Sequence, residues 1–278
     1  MYEIKFKQVL NEVTKMLVVQ APDIAKVCKA GQFVMIRVNE TGERFPLTIA
    51  DFDREKGTVT IVFQEVGKST KLLGRLEVGD EILDFVGPLG KATHTDNIGT
   101  VVVIGGGCGS AIAYPVARAF KEAGNHLITI NGARSMSLLL YREEMKKISD
   151  EAYETTDDGS CGVHGFVTNV LGDLIQEGRE IDLVFAVGPV PMMKFVAKTT
   201  EDKKIPTIVS LNSIMVDGTG MCGACRVTVG GQMKFACVDG PEFDGHQVDF
   251  DELMGRLNAY TKQESISEEQ YASESGGN

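Results

Sequence analysis

The chain has 278 residues, of which 43% are hydrophobic, so it is long and apolar enough for two packed domains and a small third one. Its 28 basic and 39 acidic residues give a net charge of −11, which argues against nucleic acid and suits either a basic redox partner or solubility alone. No segment has the roughly 18 uninterrupted apolar residues of a membrane span, and the N-terminal MYEIKFKQVLNEV lacks a signal peptide's apolar core. We therefore predict a cytoplasmic protein without a membrane partner.

Residues 1–97 are predicted to form short β-strands. Segments rich in β-branched and aromatic residues alternate partially in polarity and are separated by glycine, proline and aspartate. They are VTKMLVVQAP, GQFVMIRVN, RFPLTIADF, GTVTIVFQEV and DEILDFVGPLG. This spacing predicts a small antiparallel β-barrel, because closure removes exposed sheet edges.

Residues 98–204 alternate between predicted strands and predicted helices. The strands are TVVVIGGG, HLITINGAR, YETTDDG and IDLVFAVGP. The helices are AIAYPVARAFKEAG, SLLLYREEMKKIS, HGFVTNVLGDLIQEG and VPMMKFVAKTTEDKK. The pattern predicts a doubly wound α/β domain with buried parallel strands.

The remainder of the chain has weaker signals. Within 205–256, PTIVSLNSIM resembles a strand, residues 217–245 are expected to have little regular structure, and VDFDELMGRLNAY is a predicted amphipathic helix. Residues 257–278 are expected to be a polar, frayed tail.

Three of the six cysteines form a cluster with the spacing Asp217-x4-Cys222-x2-Cys225-x11-Cys237. Plant-type [2Fe–2S] proteins use Cys-x4-Cys-x2-Cys and a distant fourth cysteine, so here an aspartate occupies the first position. A zinc site with three cysteines and a carboxylate is the alternative. Asp217 could also serve only as a turn residue, because Asp-Gly is a common turn dipeptide.

The segment from Val101 to Ala111 contains glycines where a buried strand becomes a helix. Small residues there let a pyrophosphate approach the backbone N–H groups at the helix N-terminus, although a plain tight turn has the same composition. The next strand ends in Asn-Gly-Ala-Arg rather than in the acidic residue of an ordinary dinucleotide fingerprint.

In the barrel, Arg44 and the hydroxyls of Thr48, Ser69 and Thr70 could contact a phosphate, although a solvated strand charge and an ordinary turn explain them equally well. The four histidines are scattered, and no general acid–base pair is apparent.

From about residue 3 to residue 256, these segments resemble the ferredoxin reductase-like flavoproteins related to the electron-transfer subunit of dihydroorotate dehydrogenase. The resemblance implies an FAD-binding antiparallel β-barrel (1–97), an NAD-binding α/β domain (98–204) and a [2Fe–2S] cluster domain (205–256). The aspartate in the first cluster position is similar to that of electron-bifurcating members of the family.

The resemblance also implies the cofactor contacts. FAD is expected at Arg44, Phe45, Pro46, Leu47, Thr48, Val62, Phe63, Gln64, Gly67, Ser69 and Thr70. NAD(H) is expected at Gly105, Gly106, Gly107, Gly109, Gly132, Ala133, Arg134, Asp157, Asp158, Gly159, Gly188, Pro189, Met192 and Met193. The expected cluster ligands are Asp217, Cys222, Cys225 and Cys237. One departure is Ile112, because the family's glycine loop commonly continues Ala-Pro.

The implied function is exchange of hydride between NAD(H) and FAD, with single electrons relayed through the cluster to a larger flavin and iron–sulfur subunit in a heterodimer. No catalytic side chain is expected. The alternatives are a subunit serving dihydroorotate dehydrogenase or another NAD-linked dehydrogenase, and a non-enzymatic zinc-binding interaction module.

Overall fold

A computed structural model describes residues 1–275. The N-terminal part of the chain forms an antiparallel sheet with the strand order β6-β1-β2-β5-β4-β3-β7. Its strands are β1 (Tyr2–Val9), β2 (Thr14–Gln20), β3 (Phe33–Arg37), β4 (Phe45–Asp53), β5 (Thr58–Gln64), β6 (Glu81–Ile82) and β7 (Asp84–Leu89). β6 pairs with β1 and β7 pairs with β3, and only Leu83 separates β6 from β7. The two sheet edges are therefore joined, which confirms the predicted antiparallel barrel.

Two short helices flank the barrel strands, namely α1 (Pro22–Val27) and α2 (Lys68–Arg75). Strand β1 is additional to the segments singled out from the sequence. Its sequence YEIKFKQV buries Ile4 completely, and the polar side chains around it are mostly exposed. The barrel interior is apolar and includes Leu17, Ile36, Ile61 and Phe85.

A second sheet has the order β11-β10-β9-β8-β12-β13-β16, and all its neighbours are parallel except β16. Its strands are β8 (Thr100–Gly106), β9 (His126–Ala133), β10 (Glu151–Thr156), β11 (Val163–His164), β12 (Leu183–Val187) and β13 (Thr207–Ser210). The helices between them are α3 (Gly109–Glu122), α4 (Arg142–Ile148), α5 (Val167–Gln176) and α6 (Val190–Glu201).

Helices cover both faces of this sheet, because alternate residues of β8 enter different cores. Val102 and Ile104 pack with α5 and α6, whereas Val101 and Val103 pack with α3. The predicted doubly wound architecture is thereby confirmed. The predicted helix over 137–149 is shorter than expected, since a 3₁₀ turn (Met136–Leu138) precedes α4.

The glycine- and cysteine-rich segment is more regular than expected, so the expectation of little regular structure over 217–245 is wrong. It contains the hairpin β14 (Arg226–Val229) and β15 (Gln232–Phe235), α7 (Ala236–Asp239) and β16 (Glu242–Asp244). Gly230 and Gly231 connect the hairpin with φ values of 59° and 73°. Two residues with positive φ form a tight hairpin turn, and glycine adopts them without strain.

The predicted amphipathic helix is confirmed as α8 (Phe250–Leu257). The expected frayed tail over 257–278 instead contains a further helix, α9 (Thr261–Ser275), and the last residues, 276–278, lie outside the described residues. α9 contacts α2, with Lys71 Nζ 2.6 Å from Glu268 Oε1 and the Arg75 guanidinium 4.6 Å from the Tyr271 ring centre. Among residues 1–275, no helix combines the length and apolarity that crossing a membrane requires.

Candidate functional site

The four segments expected to bind NAD(H) lie together at one edge of the parallel sheet. They follow the carboxyl ends of β10, β9, β8 and β12, which are neighbours in that order. The chain reverses direction across the sheet between β8 and β12, and open α/β sheets bind ligands at such a switch point. The fold therefore brings these residues to one place, where Gly105, Gly106, Gly109, Gly132 and Met193 are buried and the others are partly or fully exposed.

The glycine loop after β8 is shaped for a close approach to its helix. A Cβ atom at Gly105 would overlap Ser110, and Gly107 has a φ of 56° with open space beside it. The N–H group of Gly107 donates to Gly132 O at 2.8 Å, and Ser110 Oγ donates to Asn131 Oδ1 at 2.5 Å. The open space beside Gly107, where the loop enters α3, fits the close approach of a pyrophosphate.

Arg134 has acidic neighbours that the linear sequence did not reveal. The N–H group of Asp158 donates to Arg134 O at 3.1 Å, because β10 runs beside β9. Ser160 donates to Asp158 Oδ1 through its hydroxyl at 2.6 Å and its N–H group at 2.9 Å. These hydrogen bonds lower the pKa of Asp158, whose carboxylate is exposed and whose backbone pairs with that of Arg134.

The segments expected to bind FAD are also adjacent. Phe45–Thr48 opens β4, Val62–Gln64 closes the neighbouring β5, and Ser69 Oγ donates to Glu43 Oε2 at 3.1 Å. Arg44 is exposed and lies 3.3 Å from Asp84, which Arg37 also contacts at 2.7 Å. The hydrogen bond from Arg37 lowers the pKa of Asp84, with a smaller contribution from Arg44.

The turn at Gly67–Thr70 leads directly into α2. Thr70 Oγ1 accepts hydrogen bonds from the N–H groups of Val66 and Gly67, at 3.1 and 3.2 Å, and donates to Gly67 O at 3.0 Å. Thr70 therefore caps the helix in this structure. The space beside Gly67 is open and the first-turn N–H groups of a helix lack helical acceptors, so the turn fits a phosphate.

The glycine loop packs directly on the barrel. Cys108 Sγ lies 3.9 Å from Val62 O, and Ala111 shares a small buried cluster with Ala50 and Val62. Burial raises the pKa of Cys108 to about 12, which suits a packing role for this thiol. The candidate NAD(H) site and the candidate FAD site are therefore adjacent, and the glycine loop packs against the barrel between them.

An ion pair also joins the α/β domain to the barrel. Arg118 of α3 lies 2.7 Å from Asp51 of β4. Motif reasoning did not single out either residue. They are 67 positions apart, and only the tertiary fold brings them together.

The cysteine loop brings two of its thiols together. Cys225 Sγ and Cys237 Sγ are 3.2 Å apart and buried, whereas Cys222 is exposed. Burial, together with the neighbouring Cys225 thiol, raises the pKa of Cys237 to about 12. Within residues 1–275, no three aspartate, glutamate, cysteine or histidine side chains converge as a metal site.

Asp217 turns its carboxylate into its own loop. It accepts hydrogen bonds from the N–H groups of Thr219, at 2.6 Å, and of Cys222, at 2.9 Å. These interactions, led by the bond from Thr219, lower the pKa of Asp217. The turn role that the sequence left open is therefore present in the structure.

The loop nevertheless has the donors and the shape for an iron–sulfur cluster. Gly218, Gly220 and Gly223 all adopt positive φ values, so the backbone can wrap closely around a bound group. A cavity of about 350 Å³ lies between the loop, at Gly218 and Cys237, and the end of the barrel at Pro88–Lys91. Cys237 lines this cavity, and the loop that carries it also holds the other three expected ligands, whose thiols and carboxylate match the donor chemistry of ferric iron.

Comparisons with known proteins agree with this organisation. An oxidoreductase NAD-binding domain matches residues 103–198, and the iron–sulfur cluster binding domain of dihydroorotate dehydrogenase B matches residues 212–249. A Thermotoga maritima protein described as a homolog of the dihydroorotate dehydrogenase B (NAD(+)) electron transfer subunit is 49% identical over 276 residues, which are 96% of this chain and 97% of that protein. The corresponding Fusobacterium nucleatum subunit is 35% identical over 82% of this chain and 90% of its own length.

A solved structure of an NADH-dependent reduced ferredoxin-NADP oxidoreductase, studied for flavin-based electron bifurcation, contains a chain with 49% identity and a TM-score of 0.93 over 98% of both chains. A ferredoxin NADP+ reductase from Neisseria gonorrhoeae is 14% identical with a TM-score of 0.60, over 73% of this chain and 90% of that one, and thus shares the fold. The chain therefore belongs to the family of dihydroorotate dehydrogenase B electron transfer subunits and is an oxidoreductase subunit with NAD-binding and iron–sulfur cluster-binding domains.

Proposed function

We propose that this chain is the electron-transfer subunit of an electron-bifurcating NADH-dependent ferredoxin:NADP oxidoreductase. The observation that carries the proposal is the 49% identity and TM-score of 0.93 to a chain of such an enzyme over 98% of both chains. The partner is a larger flavin and iron–sulfur subunit in a heterodimer. The cytoplasm is the proposed location, because it supplies NADH and keeps the six cysteines reduced.

The barrel residues hold FAD in this proposal. Arg44 and the turn at Gly67–Thr70 bind its phosphates, with Ser69 supplying a free hydroxyl once it leaves Glu43. Phe45–Thr48 and Val62–Gln64 line the flavin ring from two adjacent strands. Bound FAD accepts a hydride from NADH and passes electrons singly to a [2Fe–2S] cluster.

The parallel sheet holds NADH in this proposal. Gly105–Gly109 and the N-terminus of α3 bind the pyrophosphate, and Gly132–Arg134, Asp157–Gly159 and Gly188–Met193 line the remainder. The carboxylate of Asp158 repels a ribose 2′-phosphate and therefore favours NADH over NADPH.

The proposal is tested on the purified chain by quantifying FAD, iron and acid-labile sulfide. We expect one FAD and one [2Fe–2S] cluster per chain, and faster loss of flavin absorbance with NADH than with NADPH. Zinc in place of iron and sulfide would support an interaction module and contradict electron transfer.

A second candidate is an electron-transfer subunit serving dihydroorotate oxidation. The names of the Thermotoga maritima and Fusobacterium nucleatum relatives favour it. Purification of the native complex distinguishes the two candidates. A large subunit that reduces NADP with NADH and reduced ferredoxin supports bifurcation, and one that oxidises dihydroorotate supports the alternative.

Asp217 is the proposed first cluster ligand, and its two possible roles can be separated by substitution. Asp217→Asn retains an acceptor for the loop N–H groups but removes the anionic ligand, so we expect reduced iron retention. Asp217→Cys should retain iron and shift the cluster to a lower potential, because a thiolate donates more electron density to ferric iron than a carboxylate does. If Asp217→Asn retained the iron content and the absorbance spectrum of the wild type, Asp217 would be a turn residue and not a cluster ligand.

A further inference from the structure

Lys15 lies on β2 and joins both ends of the segment that contains the proposed FAD-phosphate turn. Its ammonium group donates to Glu65 Oε1 at 2.8 Å and to Gly74 O at 2.9 Å. Glu65 lies two residues before the turn at Gly67, and Gly74 lies in the last turn of α2. One side chain therefore spans the entrance of the turn and the far end of the helix that follows it.

The Lys15–Glu65 ion pair is partly buried, because the two side chains are 19% and 20% exposed. Glycine at position 74 lets the Glu65 carboxylate lie in this place, since a Cβ atom there would overlap it. The N–H group of Glu65 also donates to Val13 O at 2.8 Å, which anchors the residue to the barrel. The contact is therefore built into the packing of α2 on the sheet.

A second lysine reinforces the same end of the helix. Lys7 Nζ donates to Gly74 O at 2.9 Å, to Leu76 O at 2.8 Å and to Glu77 Oε1 at 2.6 Å. The last carbonyl groups of a helix lack helical donors and carry partial negative charge, so two ammonium groups stabilise this end. The opposite end of α2 is then directed at the turn.

We infer that Lys15 is a positioning residue for the FAD-phosphate turn. This inference rests on the proposed function, in which the turn at Gly67–Thr70 binds the phosphates of FAD. It fixes the direction of α2, because it holds the C-terminal end of the helix to the barrel strand β2. Loss of Lys15 would loosen α2 and leave the partly buried Glu65 carboxylate unpaired.

The test compares two flavins on the full-length protein after its own flavin has been removed. FAD carries phosphates and riboflavin carries none, so only FAD reports on the turn. We expect Lys15→Met to raise the dissociation constant for FAD about tenfold, which corresponds to about 1.4 kcal/mol. The dissociation constant for riboflavin should stay unchanged. Lys5→Met is the matched control, because Lys5 forms an exposed pair with Glu3 on the neighbouring strand β1.

A second comparison uses Glu65→Gln as the background for Lys15→Met. In this background the loss of Lys15 leaves no unpaired carboxylate that could destabilise the fold. Glu65→Gln should bind FAD at least as tightly as the wild type, because a neutral acceptor for Lys15 remains. Adding Lys15→Met to Glu65→Gln should weaken FAD binding relative to Glu65→Gln alone, since the bond to Gly74 O is lost. Equal FAD affinity in these two variants would overturn the inference.

The outcomes separate this inference from the proposed function. A wild-type protein that binds FAD no more tightly than riboflavin would contradict the phosphate turn itself. A wild type that prefers FAD, together with a Lys15→Met variant that retains the full preference, would overturn only the role of Lys15. Equal weakening of both flavins would identify Lys15 as a general stabilising residue and also overturn the inference.

Discussion

Glu242 is a partly buried carboxyl group outside the proposed cofactor contacts. Thr93 Oγ1 donates to its Oε1 at 2.5 Å, and burial raises its pKa to about 7. Lys91, His94 and Asp244 line the adjoining cavity of about 240 Å³. An ordinary glutamate has a pKa near 4.5, so the folded protein retains a proton here that the unfolded chain releases.

This difference makes the contribution of Glu242 to stability dependent on pH. The folded state binds the proton more tightly, so the free energy of unfolding falls as pH rises from about 4.5 through about 7. Glu242→Gln cannot ionise and still accepts from Thr93. We expect its stability gain over the wild type to grow by roughly 2 kcal/mol between pH 5 and pH 8.

Urea denaturation at the two pH values measures this gain. Glu12→Gln is the control, because Glu12 is exposed on the barrel surface. The same stability gain at pH 5 and pH 8 for Glu242→Gln would contradict a buried, proton-retaining carboxyl group.

Individual elements show where sequence reasoning succeeds and where it stops. The buried strand β8 and the helix after it were predictable, because a continuous apolar run ends in glycines and a helical period follows. The hairpin β14–β15 also has a sequence signal, because Gly230–Gly231 is a dipeptide typical of a tight hairpin turn.

Contacts between distant segments were not predictable from motifs. Lys15 and Glu65 are 50 positions apart, and only the pairing of β2 with β5 brings them together. The acidic neighbour of Arg134 follows equally from the order of β9 and β10 in the sheet. Sequence motifs and the family resemblance therefore indicated the candidate cofactor segments. The residues that hold these segments in place, or that alter the charge around them, become apparent only in the tertiary structure.

Helix α9 was unpredictable for a related reason, because it lacks an apolar face and depends on α2 for its contacts. Tyr271→Ala removes the aromatic ring that the Arg75 guanidinium covers. We expect trypsin cleavage at Lys262, near the start of α9, to accelerate about fivefold, as the loss of about 1 kcal/mol of cation–π and packing energy predicts.

Ile266→Ala provides the control within the same helix, since Ile266 is 47% exposed. Cleavage should change much less in this variant. Equal acceleration in both variants would mean that the Arg75–Tyr271 contact does not hold α9 on the barrel.

At the scale of the whole molecule, the barrel and the nicotinamide-binding domain are fixed to each other beside the glycine loop. Arg118 forms its ion pair with Asp51 and also lies 5.5 Å from the Tyr114 ring centre. We expect Arg118→Gln to slow NADH-dependent reduction of the bound flavin about fivefold without changing FAD content, because hydride transfer requires close alignment of the two cofactors. Stopped-flow absorbance measures the rate.

Two variants make this experiment specific. Glu122→Gln should be nearly silent, because Glu122 is 72% exposed and lies 3.9 Å from the same guanidinium. Exchanging the charges in Asp51→Arg with Arg118→Asp should recover part of the rate. Identical rates in Arg118→Gln and Glu122→Gln would show that the ion pair does not align the domains.

Strand β16 makes the cysteine segment part of the nicotinamide-binding sheet. It pairs with β13, and the N–H groups of Leu211 and Gly245 donate to Pro241 O and Thr207 O at 2.9 and 2.7 Å. The ladder begins five residues after Cys237, which leaves little slack for the cysteine loop to travel. An electron carrier bound there cannot swing between donor and acceptor as a tethered shuttle would. A cluster bound there is a stationary electron outlet, so the larger subunit must hold its acceptor within tunnelling distance of the cysteine loop.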